Sequence, residues 1–389
     1  MAKRPKSEKI QKRSKVFAEL YPEFVNLDDR VTHGKPRREK SDVRGGDDKA
    51  ARYGNSKVWF ALAGIGALFA VREVTRRAQA IDMAGKVVVI TGGSRGLGLV
   101  MARQLADEGA RLAICARNLE ELLRAQNELV GLGAEVLAMP CDIAKPSQVK
   151  EFVRAVEDHF GVIDALINNA GIIQVAPMEE MTRADYEEAM DINFFGALNM
   201  TLAVLPGMQR RMTGSIINVS SFGGKVAVPH MLPYTASKHA LAGFSEGLRV
   251  ELRKHGITVT SVYPGPLRTG SHINATYKGQ NDKEAAWFST AASTPMLSMQ
   301  AERAASQIIN GFKQRRAQVV LSLLTEIEIK AAALAPAVAQ EFLVLVDKMM
   351  PASGGIGKHS AIGKESGATE SDTELRATGQ GAATRNNEL

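Results

Sequence analysis

Cysteine and aromatic residues are scarce in this chain. Its 389 residues include two cysteines, Cys115 and Cys141, and Phe, Trp and Tyr together make up 5%. Two thiols in apolar, strand-like surroundings do not provide a disulfide framework or the ligands of a zinc site. We interpret both as buried free thiols in a reducing compartment, with one disulfide between them as the alternative. We predict no metal site.

Net charge is also absent from most of the chain. The formal charge of +7 is carried by residues 1–57, which hold 16 Lys and Arg against nine Asp and Glu, so the remainder is neutral. A basic leader suits anionic lipid headgroups or nucleic acid, and it equally suits a solvated tail. We predict that residues 1–56 are a disordered basic leader, and we expect no nucleic-acid partner.

The apolar run Val58–Val71 is too short for a simple membrane span. Its 14 residues would reach about 21 Å as a helix, whereas the hydrocarbon core is about 30 Å thick. Lysine and arginine at its two ends can snorkel, and Trp59 suits an interface. We predict a hydrophobic helix, membrane anchor and linker at residues 57–83. A helix docked on protein is the alternative.

Flanking basic residues favour a cytoplasmic leader, because they are more numerous before the apolar run than after it. A full span would then place the rest of the chain on the far side of the membrane. We therefore prefer attachment in the membrane interface, with the following domain in the cytoplasm. A soluble cytoplasmic protein is the alternative.

Short Val- and Ile-rich runs alternate with helical patterns from Lys86 to Thr269. This alternation predicts an α/β fold with a doubly wound parallel sheet, the Rossmann fold. Hydrophobic residues make up 45% of the chain, which is enough for a packed core. We place one such domain at residues 84–320. The predicted strands are Lys86–Ile90, Arg111–Ala116, Glu135–Pro140, Ala165–Asn168, Ser215–Val219 and Thr258–Tyr263.

The chain beyond this alternating pattern is less regular. Residues 270–299 contain Trp287 and Phe288 among small and polar residues, and we expect them to cover the functional site. Residues 321–351 read as two apolar helices separated by Pro336, which suits a first helical turn. These helices pack on the core or touch lipid. Residues 352–389 show no periodicity, and we predict a disordered tail.

A glycine-rich loop follows the first predicted strand and precedes a helical run. It reads TGGSRGLG, and its G-x-x-x-G-x-G spacing departs from the G-x-G-x-x-G fingerprint. Glycines here allow a tight turn and a close approach of the backbone to a pyrophosphate at the helix N-terminus. A glycine-rich turn alone is a weak signal. The candidate cofactor-binding residues of the loop are Thr91, Gly92, Ser94, Arg95, Gly96, Leu97 and Gly98.

Three motifs in this order resemble the short-chain dehydrogenase/reductase family. The loop fits T-G-x-x-x-G-x-G, N-N-A-G runs from Asn168 to Gly171, and Y-x-x-x-K joins Tyr234 to Lys238. Ser221 stands 13 residues before Tyr234, which is the family's separation. The resemblance covers about residues 84–270. It implies a Rossmann-type oxidoreductase that moves hydride between a nicotinamide and a carbonyl or alcohol.

Four residues are the catalytic candidates: Ser221, Tyr234, Lys238 and Asn193. Tyrosine can supply the proton that a reduced carbonyl needs, but its ordinary pKa of about 10 is high for two-way transfer near neutrality. Lys238, on the same helix face, is expected to lower that pKa. The resemblance implies that Ser221 holds the substrate oxygen, Asn193 holds a relay water, and Lys238 also binds the nicotinamide ribose.

The end of the second predicted strand favours NADP(H) over NAD(H). A carboxylate there would bind the free ribose hydroxyl of NAD and repel the 2′-phosphate of NADP. The strand ends at Ala116 and is followed by Arg117, so no acid occupies this position. Arg117 and Arg95 offer two guanidinium groups suited to a phosphate. Two ordinary surface arginines are the alternative.

The resemblance implies further cofactor contacts. Asp142 is similar to an adenine-binding aspartate, although it equally suits a helix N-cap. The segment from Pro264 to Thr269 resembles P-G-x-x-x-T at the nicotinamide end, with a plain Pro-Gly turn as the alternative. The additional cofactor-binding candidates are Asp142, Ile143, Asn169, Ala170, Gly171, Tyr234, Lys238, Pro264, Gly265 and Thr269.

We expect NADPH-dependent reduction of a lipophilic ketone, such as a lipid, steroid, long-chain acyl or xenobiotic carbonyl. The apolar run at Val58, the apolar C-terminal helices and the aromatic content of the expected cover all favour such a substrate. The resemblance implies a homo-oligomer. One alternative is a non-catalytic, membrane-tethered NADP-binding scaffold or sensor. Another is a nucleic-acid-binding leader that carries the reductase domain as a passenger.

Overall fold

The computed structural model describes residues 74–76, 78–294, 298–365 and 381–388. The predicted basic leader and the apolar run Val58–Val71 lie outside these residues. The domain predicted from the alternating pattern lies almost entirely within them.

Seven parallel strands form the central sheet of the described chain. Their order is β7-β6-β5-β4-β1-β2-β3, so the winding direction reverses between β1 and β4, as in a doubly wound fold. Every residue of β1 and of β4 is buried, because helices cover both faces of the sheet. The strands are β1 Val87–Thr91, β2 Arg111–Ala116, β3 Val136–Pro140, β4 Ala165–Asn168, β5 Gly214–Val219, β6 Ile257–Pro264 and β7 Gln318–Leu321.

Helices pack on both faces of this sheet and form two core clusters. Leu99, Leu122 and Phe312 lie in the cluster on one face, and Phe152 and Met200 lie in the other. Burial of each such side chain contributes about 1.5–3 kcal/mol. The helices are α1 Gly96–Asp107, α2 Leu119–Gly131, α3 Pro146–Phe160, α4 Arg183–Met190, α5 Gly196–Arg211, α6 Leu232–Leu252, α7 Asn281–Ser293, α8 Ala301–Lys313, α9 Leu323–Leu334 and α10 Pro336–Asp347.

Local sequence explains where several helices begin. Asn118 accepts the backbone N–H of Glu121 at 3.2 Å and caps α2. Thr182 and Asp185 form a capping box at the start of α4. Proline occupies the first turn of α3 and of α10, where its missing N–H costs no helical hydrogen bond. Two of these helices, α2 and α3, follow the strands β2 and β3 directly, and the loops between them carry candidate site residues.

The predicted fold class is confirmed. The six predicted strands are present, and Arg111–Ala116 and Ala165–Asn168 have the predicted bounds. The seventh strand, β7, was not predicted, and it pairs with β6 through Val319 opposite Val262. Its four residues are too few to show a period, so its pairing depends on the edge that β6 provides.

Part of the predicted disordered tail has a defined structure. Ala361–Ile362 pairs with the short strand Thr276–Tyr277. Residues 381–388 pack against the glycine-rich loop, and Ala383 and Asn386 are both 0% exposed. These contacts are long-range, so the local pattern carries no sign of them. The two cysteines are buried and free, as expected.

Candidate active site

The glycine-rich loop joins the end of β1 to the start of α1. Gly92 and Gly96 have φ of +64° and +55°, a region that L side chains rarely adopt. A Cβ atom on Gly98 would lie 2.1 Å from the carbonyl oxygen of Gly92, so no side chain fits there. The loop is therefore built for close approach to a group at the positive end of α1.

Hydrogen bonds tie this loop to the N-N-A-G segment after β4. Thr91 Oγ1 accepts the N–H groups of Asn169 and Ala170 at 3.0 and 3.1 Å. The Asn169 side-chain amide donates to the carbonyls of Thr91 and Gly92 at 3.1 and 3.2 Å. The two segments meet between β1 and β4, where the sheet order reverses. Open α/β sheets bind ligands at this position.

The structure brings Ser221, Tyr234 and Lys238 together, and Lys238 and Asn193 lie beside Gly171. Tyr234 and Lys238 lie on α6, with Lys238 Nζ 5.7 Å from the centre of the Tyr234 ring. Ser221 is hydrogen-bonded to Tyr234. A Cβ atom on Gly171 would lie 2.8 Å from Asn193 Oδ1 and 3.3 Å from Lys238 Nζ, so this glycine permits their close approach.

Asn193 lies in a π-helical segment, Asp191–Phe195, between α4 and α5. Its Oδ1 accepts the N–H of Ile172 at 2.9 Å, and its Nδ2 donates to the carbonyl of Ile172 at 3.2 Å and to Ser237 Oγ at 2.9 Å. Segments of this kind are frequent at functional sites. The side chain thus fixes the backbone after β4 against α6.

Burial changes the acid–base properties of two groups. It lowers the pKa of Lys238 to about 8. It raises the pKa of Tyr234, and the hydrogen bond with Ser221 opposes that rise. The direction for Tyr234 differs from the sequence-based expectation, because loss of water around the hydroxyl outweighs the stabilising contact. Lys238 Nζ also donates to the carbonyl of Val219 at 3.0 Å, which fixes the ammonium in place.

The two arginines predicted to recognise a phosphate have different surroundings. Arg117 is exposed directly after β2. Arg95 pairs with Glu121 at 3.2 Å and donates to Asn274 Oδ1 at 2.8 Å. Arg95 therefore contacts an acid within the chain, whereas Arg117 faces solvent.

Asp142 does not cap the following helix, so that alternative is wrong. The N-cap residue of α3 is Lys145. Asp142 Oδ1 instead accepts the N–H of Ala144 at 3.1 Å in a tight turn after β3. Ile143, the next residue, is buried and packs against Gly196 at the start of α5.

The P-G-x-x-x-T segment lies at the same edge of the sheet. Pro264 ends β6, and a Cβ atom on Gly265 would lie 2.6 Å from Thr325 Oγ1 at the start of α9. Thr269 is buried, and its Oγ1 accepts the N–H of Ser271 at 3.2 Å. The segment therefore passes close to α9.

Helix α7 lies within the stretch predicted to cover the site. Its Trp287 and Phe288 pack against an apolar cluster of buried residues, and Tyr234 packs against the same cluster. Glu284, which is 0% exposed, accepts a hydrogen bond from Trp287 Nε1 at 2.6 Å and lies 2.8 Å from His230 Nδ1. His230 and Glu284 were missed by sequence reasoning, since no motif or spacing connects them.

A second missed feature is the C-terminal segment Gly381–Glu388. The N–H of Gly96 donates to the carbonyl of Asn386 at 2.8 Å, and Asn387 Nδ2 donates to the carbonyl of Ser94 at 2.8 Å. These residues therefore lie on the loop predicted to bind a pyrophosphate.

Comparisons with known proteins agree with this geometry. A family model described as short chain dehydrogenase matches residues 86–278. The oxidoreductase SadH of Mycobacterium tuberculosis is 34% identical over 241 residues, which cover 61% of this chain and 87% of SadH. The chain belongs to the short-chain dehydrogenase family. It is accordingly an oxidoreductase.

Three further proteins are similar to this short-chain dehydrogenase. Ketoacyl reductase 1 of the granaticin polyketide synthase from Streptomyces violaceoruber is 40% identical over 185 residues, 47% of this chain and 68% of that protein. A Burkholderia phymatum short-chain dehydrogenase solved with NAD has a TM-score of 0.62 at 23% identity, covering 66% and 96% of the two chains, and supports the fold. A metagenomic short-chain oxidoreductase solved with NADP has a TM-score of 0.51 at 28% identity, covering 62% and 98%.

Proposed function

We propose that this short-chain dehydrogenase reduces a lipophilic ketone to an alcohol with NADPH. The observation that carries the proposal is the grouping of Ser221, Tyr234 and Lys238, in which Lys238 lies beside Gly171 of the N-N-A-G segment. That segment is hydrogen-bonded to the glycine-rich loop. Hydride delivery to a carbonyl leaves negative charge on its oxygen, which requires hydrogen-bond donors and a proton. These three side chains provide both.

The loop fits a dinucleotide, because Gly92, Gly96 and Gly98 carry no side chains of their own next to the positive end of α1. When bound, the nicotinamide would supply the hydride. Thr91, the N-N-A-G segment and Thr269 surround the same edge of the sheet. The residues proposed to hold the cofactor are Thr91, Gly92, Ser94, Arg95, Gly96, Leu97, Gly98, Arg117, Asp142, Ile143, Asn169, Ala170, Gly171, Tyr234, Lys238, Pro264, Gly265 and Thr269.

The proposed roles of the catalytic residues follow from their positions. Tyr234 Oη gives its proton to the substrate oxygen, and the hydroxyl of Ser221 donates a hydrogen bond to the same oxygen. The ammonium of Lys238 compensates the charge left on Tyr234, and with a pKa of about 8 it is mostly protonated at neutral pH. Asn193 positions the backbone at Ile172 and, as proposed from the resemblance, a relay water.

The preference for NADPH is proposed from the end of β2. Arg117 follows the strand directly and no acid stands at that end. Arg117→Ala is expected to weaken NADPH binding and leave NADH binding unchanged, because only NADPH carries the 2′-phosphate. Arg154→Ala is the matched control, since Arg154 is exposed on α3 and pairs with Asp158. An equal loss of affinity for NADPH and NADH in Arg117→Ala would contradict the preference. Tighter binding of NADH than of NADPH by the wild type would also contradict it.

A lipophilic substrate is proposed from the apolar surroundings of Tyr234. Tyr234 packs against the same apolar cluster as Trp287 and Phe288 of α7, so the proposed proton donor lies at an apolar part of the site. The test is NADPH oxidation by the full chain, followed by absorbance, with long-chain and steroid ketones against small polar ketones. Turnover confined to the lipophilic ketones is expected. Nucleotide binding without turnover of any ketone would favour the non-catalytic scaffold.

Membrane attachment is proposed from the C-terminal helices. Together α9 and α10 are long and apolar enough for a span, but they are bent by 119° at the break between them. Several large apolar side chains are exposed there, which suits shallow insertion with the catalytic domain in the cytoplasm. The most exposed are Leu323 at 73%, Leu334 at 87%, Val338 at 70%, Phe342 at 63% and Met349 at 83%.

Flotation of the full chain with lipid vesicles tests this attachment. The wild type is expected to float with the vesicles, and Leu334→Glu and Phe342→Glu together are expected to reduce the floating fraction. Val250→Glu is the matched control, because Val250 is 76% exposed on α6. If the wild type remains in the soluble fraction, membrane attachment is contradicted and the soluble cytoplasmic alternative is supported. The homo-oligomer implied by the resemblance is tested by light scattering in detergent.

A further inference from the structure

The last described residues occupy the front of the glycine-rich loop. The carbonyl of Asn386 accepts the first N–H of α1, that of Gly96, at 2.8 Å. A Cβ atom on Gly96 would lie 2.5 Å from Glu388 Oε1, so the glutamate side chain fills the space that this glycine leaves. Both acceptors therefore lie where a helix N-terminus attracts an anion.

Further contacts connect the segment to both sides of the groove. On the side of the loop and α2, Asn387 Nδ2 donates to the carbonyls of Ser94 and Glu121 at 2.8 and 3.0 Å. Arg124 Nε donates to Asn387 Oδ1 at 2.8 Å. The segment is thus held by side-chain amides that match backbone groups, and the fit is specific rather than a loose apolar contact.

The opposite side of the groove is the segment after β6. Asn274 Nδ2 donates to Glu388 Oε2 at 2.7 Å and to the Glu388 carbonyl at 3.0 Å. Ala383 packs directly on Gly270, because a Cβ atom added to Gly270 would lie 2.6 Å from the Ala383 Cβ. The C-terminal segment therefore bridges the glycine-rich loop and the Thr269 region, which are both proposed cofactor contacts.

An acidic side chain faces Arg95 at this contact. Glu388 is 7% exposed, and its carboxylate lies 3.7 Å from Arg95 Nε. Burial raises the pKa of Glu388 to about 7, while Arg95 and Asn274 oppose the rise and Glu121 adds to it. The segment thus places an acidic group against a guanidinium that we assign to the nucleotide.

We propose that the segment Gly381–Glu388 is a built-in competitor of the nicotinamide nucleotide, which occupies the phosphate-binding loop and leaves it when the nucleotide binds. This inference rests on the proposed function, since it requires the loop to bind a nucleotide. The described hydrogen bonds of the segment go to the loop, α1, α2 and the segment after β6. None of them goes to Ser221, Tyr234 or Lys238. The enzyme is therefore restrained at cofactor binding and not at the chemical step.

Nucleotide affinity of the full chain is the first test, measured by NADPH fluorescence. The double variant Asn387→Ala, Glu388→Ala is expected to bind NADPH about tenfold more tightly than the wild type, because a competitor reduces the apparent affinity by the fraction of open sites. Glu365→Ala is the matched control, since Glu365 is an exposed acid of the same C-terminal region. Its affinity is expected to equal that of the wild type.

Hydrogen exchange of the wild-type chain supplies a readout independent of variants. The amides of Asn386 and Glu388 donate to the carbonyls of Ala382 and Ala383 at 3.0 and 2.9 Å. Saturating NADPH is expected to accelerate exchange in residues 382–388. If exchange is unchanged or slower, and the wild type and the double variant bind NADPH with equal affinity, the competitor proposal is wrong and the proposed function is unaffected. Failure of both proteins to bind NADPH would overturn the proposed function as well.

Discussion

The lowered pKa of Lys238 predicts an unusual pH dependence of NADPH use. An ordinary lysine with a pKa of about 10.5 stays charged throughout the range from pH 7 to 9.5. Burial lowers the pKa of Lys238 to about 8. With that value, about nine-tenths of the side chains are protonated at pH 7 and about one-tenth at pH 9. The ammonium is thus lost as the pH rises through 8.

The assay is kcat/KM for NADPH at a saturating ketone concentration, because this parameter reports the ionisation of the free enzyme. It is expected to fall about tenfold per pH unit above pH 8. Tyr234 does not cause this alkaline limb, the fall in kcat/KM above pH 8, since burial raises the pKa of Tyr234 above the ordinary value for tyrosine. Lys238→Met is expected to give low activity without the limb. Lys254→Met, an exposed control, is expected to retain it. A wild-type kcat/KM that stays constant from pH 7 to 9.5 would refute the role of Lys238.

Three further predictions follow from single contacts. Gly98→Ala is expected to weaken NADPH binding by at least about tenfold, because the loop has no space for a Cβ atom. Fluorescence titration measures this, with Gly131→Ala as the control, since a Cβ atom on Gly131 would meet nothing within 4 Å. Equal NADPH affinities of the two variants would contradict the prediction. Ser221→Ala is expected to lower kcat about 100-fold with NADPH affinity unchanged, as for loss of one donor to a developing oxyanion; a wild-type kcat in steady-state assays would exclude that role. Cys115 and Cys141 are expected to resist a thiol reagent in the native protein and to react after unfolding; rapid native labelling would contradict their burial.

Periodicity predicted the sheet well where strands are buried on both faces. All residues of β1 and β4 are buried, so these strands appear in the sequence as continuous Val-, Ile- and Leu-containing runs. The edge strand β7 was missed, since Gln318 is exposed and only three of its four residues are apolar. Its existence depends on pairing with β6, which the local sequence does not reveal.

Motif spacing located the catalytic candidates because regular elements position them. Tyr234 and Lys238 are one helical turn apart on α6, so a separation of four residues already predicts a shared face. Ser221 and Asn193 come from other elements, and only the family resemblance connected them with the helix. The approach of both residues to α6 depends on the order of strands β4 and β5 in the sheet.

The charge environment was the least predictable part of the site. The sequence indicates a free pair of arginines, whereas Arg95 is held by Glu121 and by Glu388. Glu388 comes from the far end of the chain, and no periodic pattern surrounds it. The direction of the pKa shift of Tyr234 also required burial to be known. Tertiary contacts determine both properties, so neither follows from local sequence.

The most direct test of catalysis is NADPH oxidation by Tyr234→Phe beside the wild type, with a lipophilic ketone that the wild type reduces. The substitution removes the hydroxyl and keeps the ring that packs against the apolar cluster. A fall in kcat of about 10²–10⁴-fold, with NADPH affinity unchanged, is the result expected for loss of a general acid. A variant that retains the wild-type kcat would contradict the assignment of Tyr234 as the proton donor.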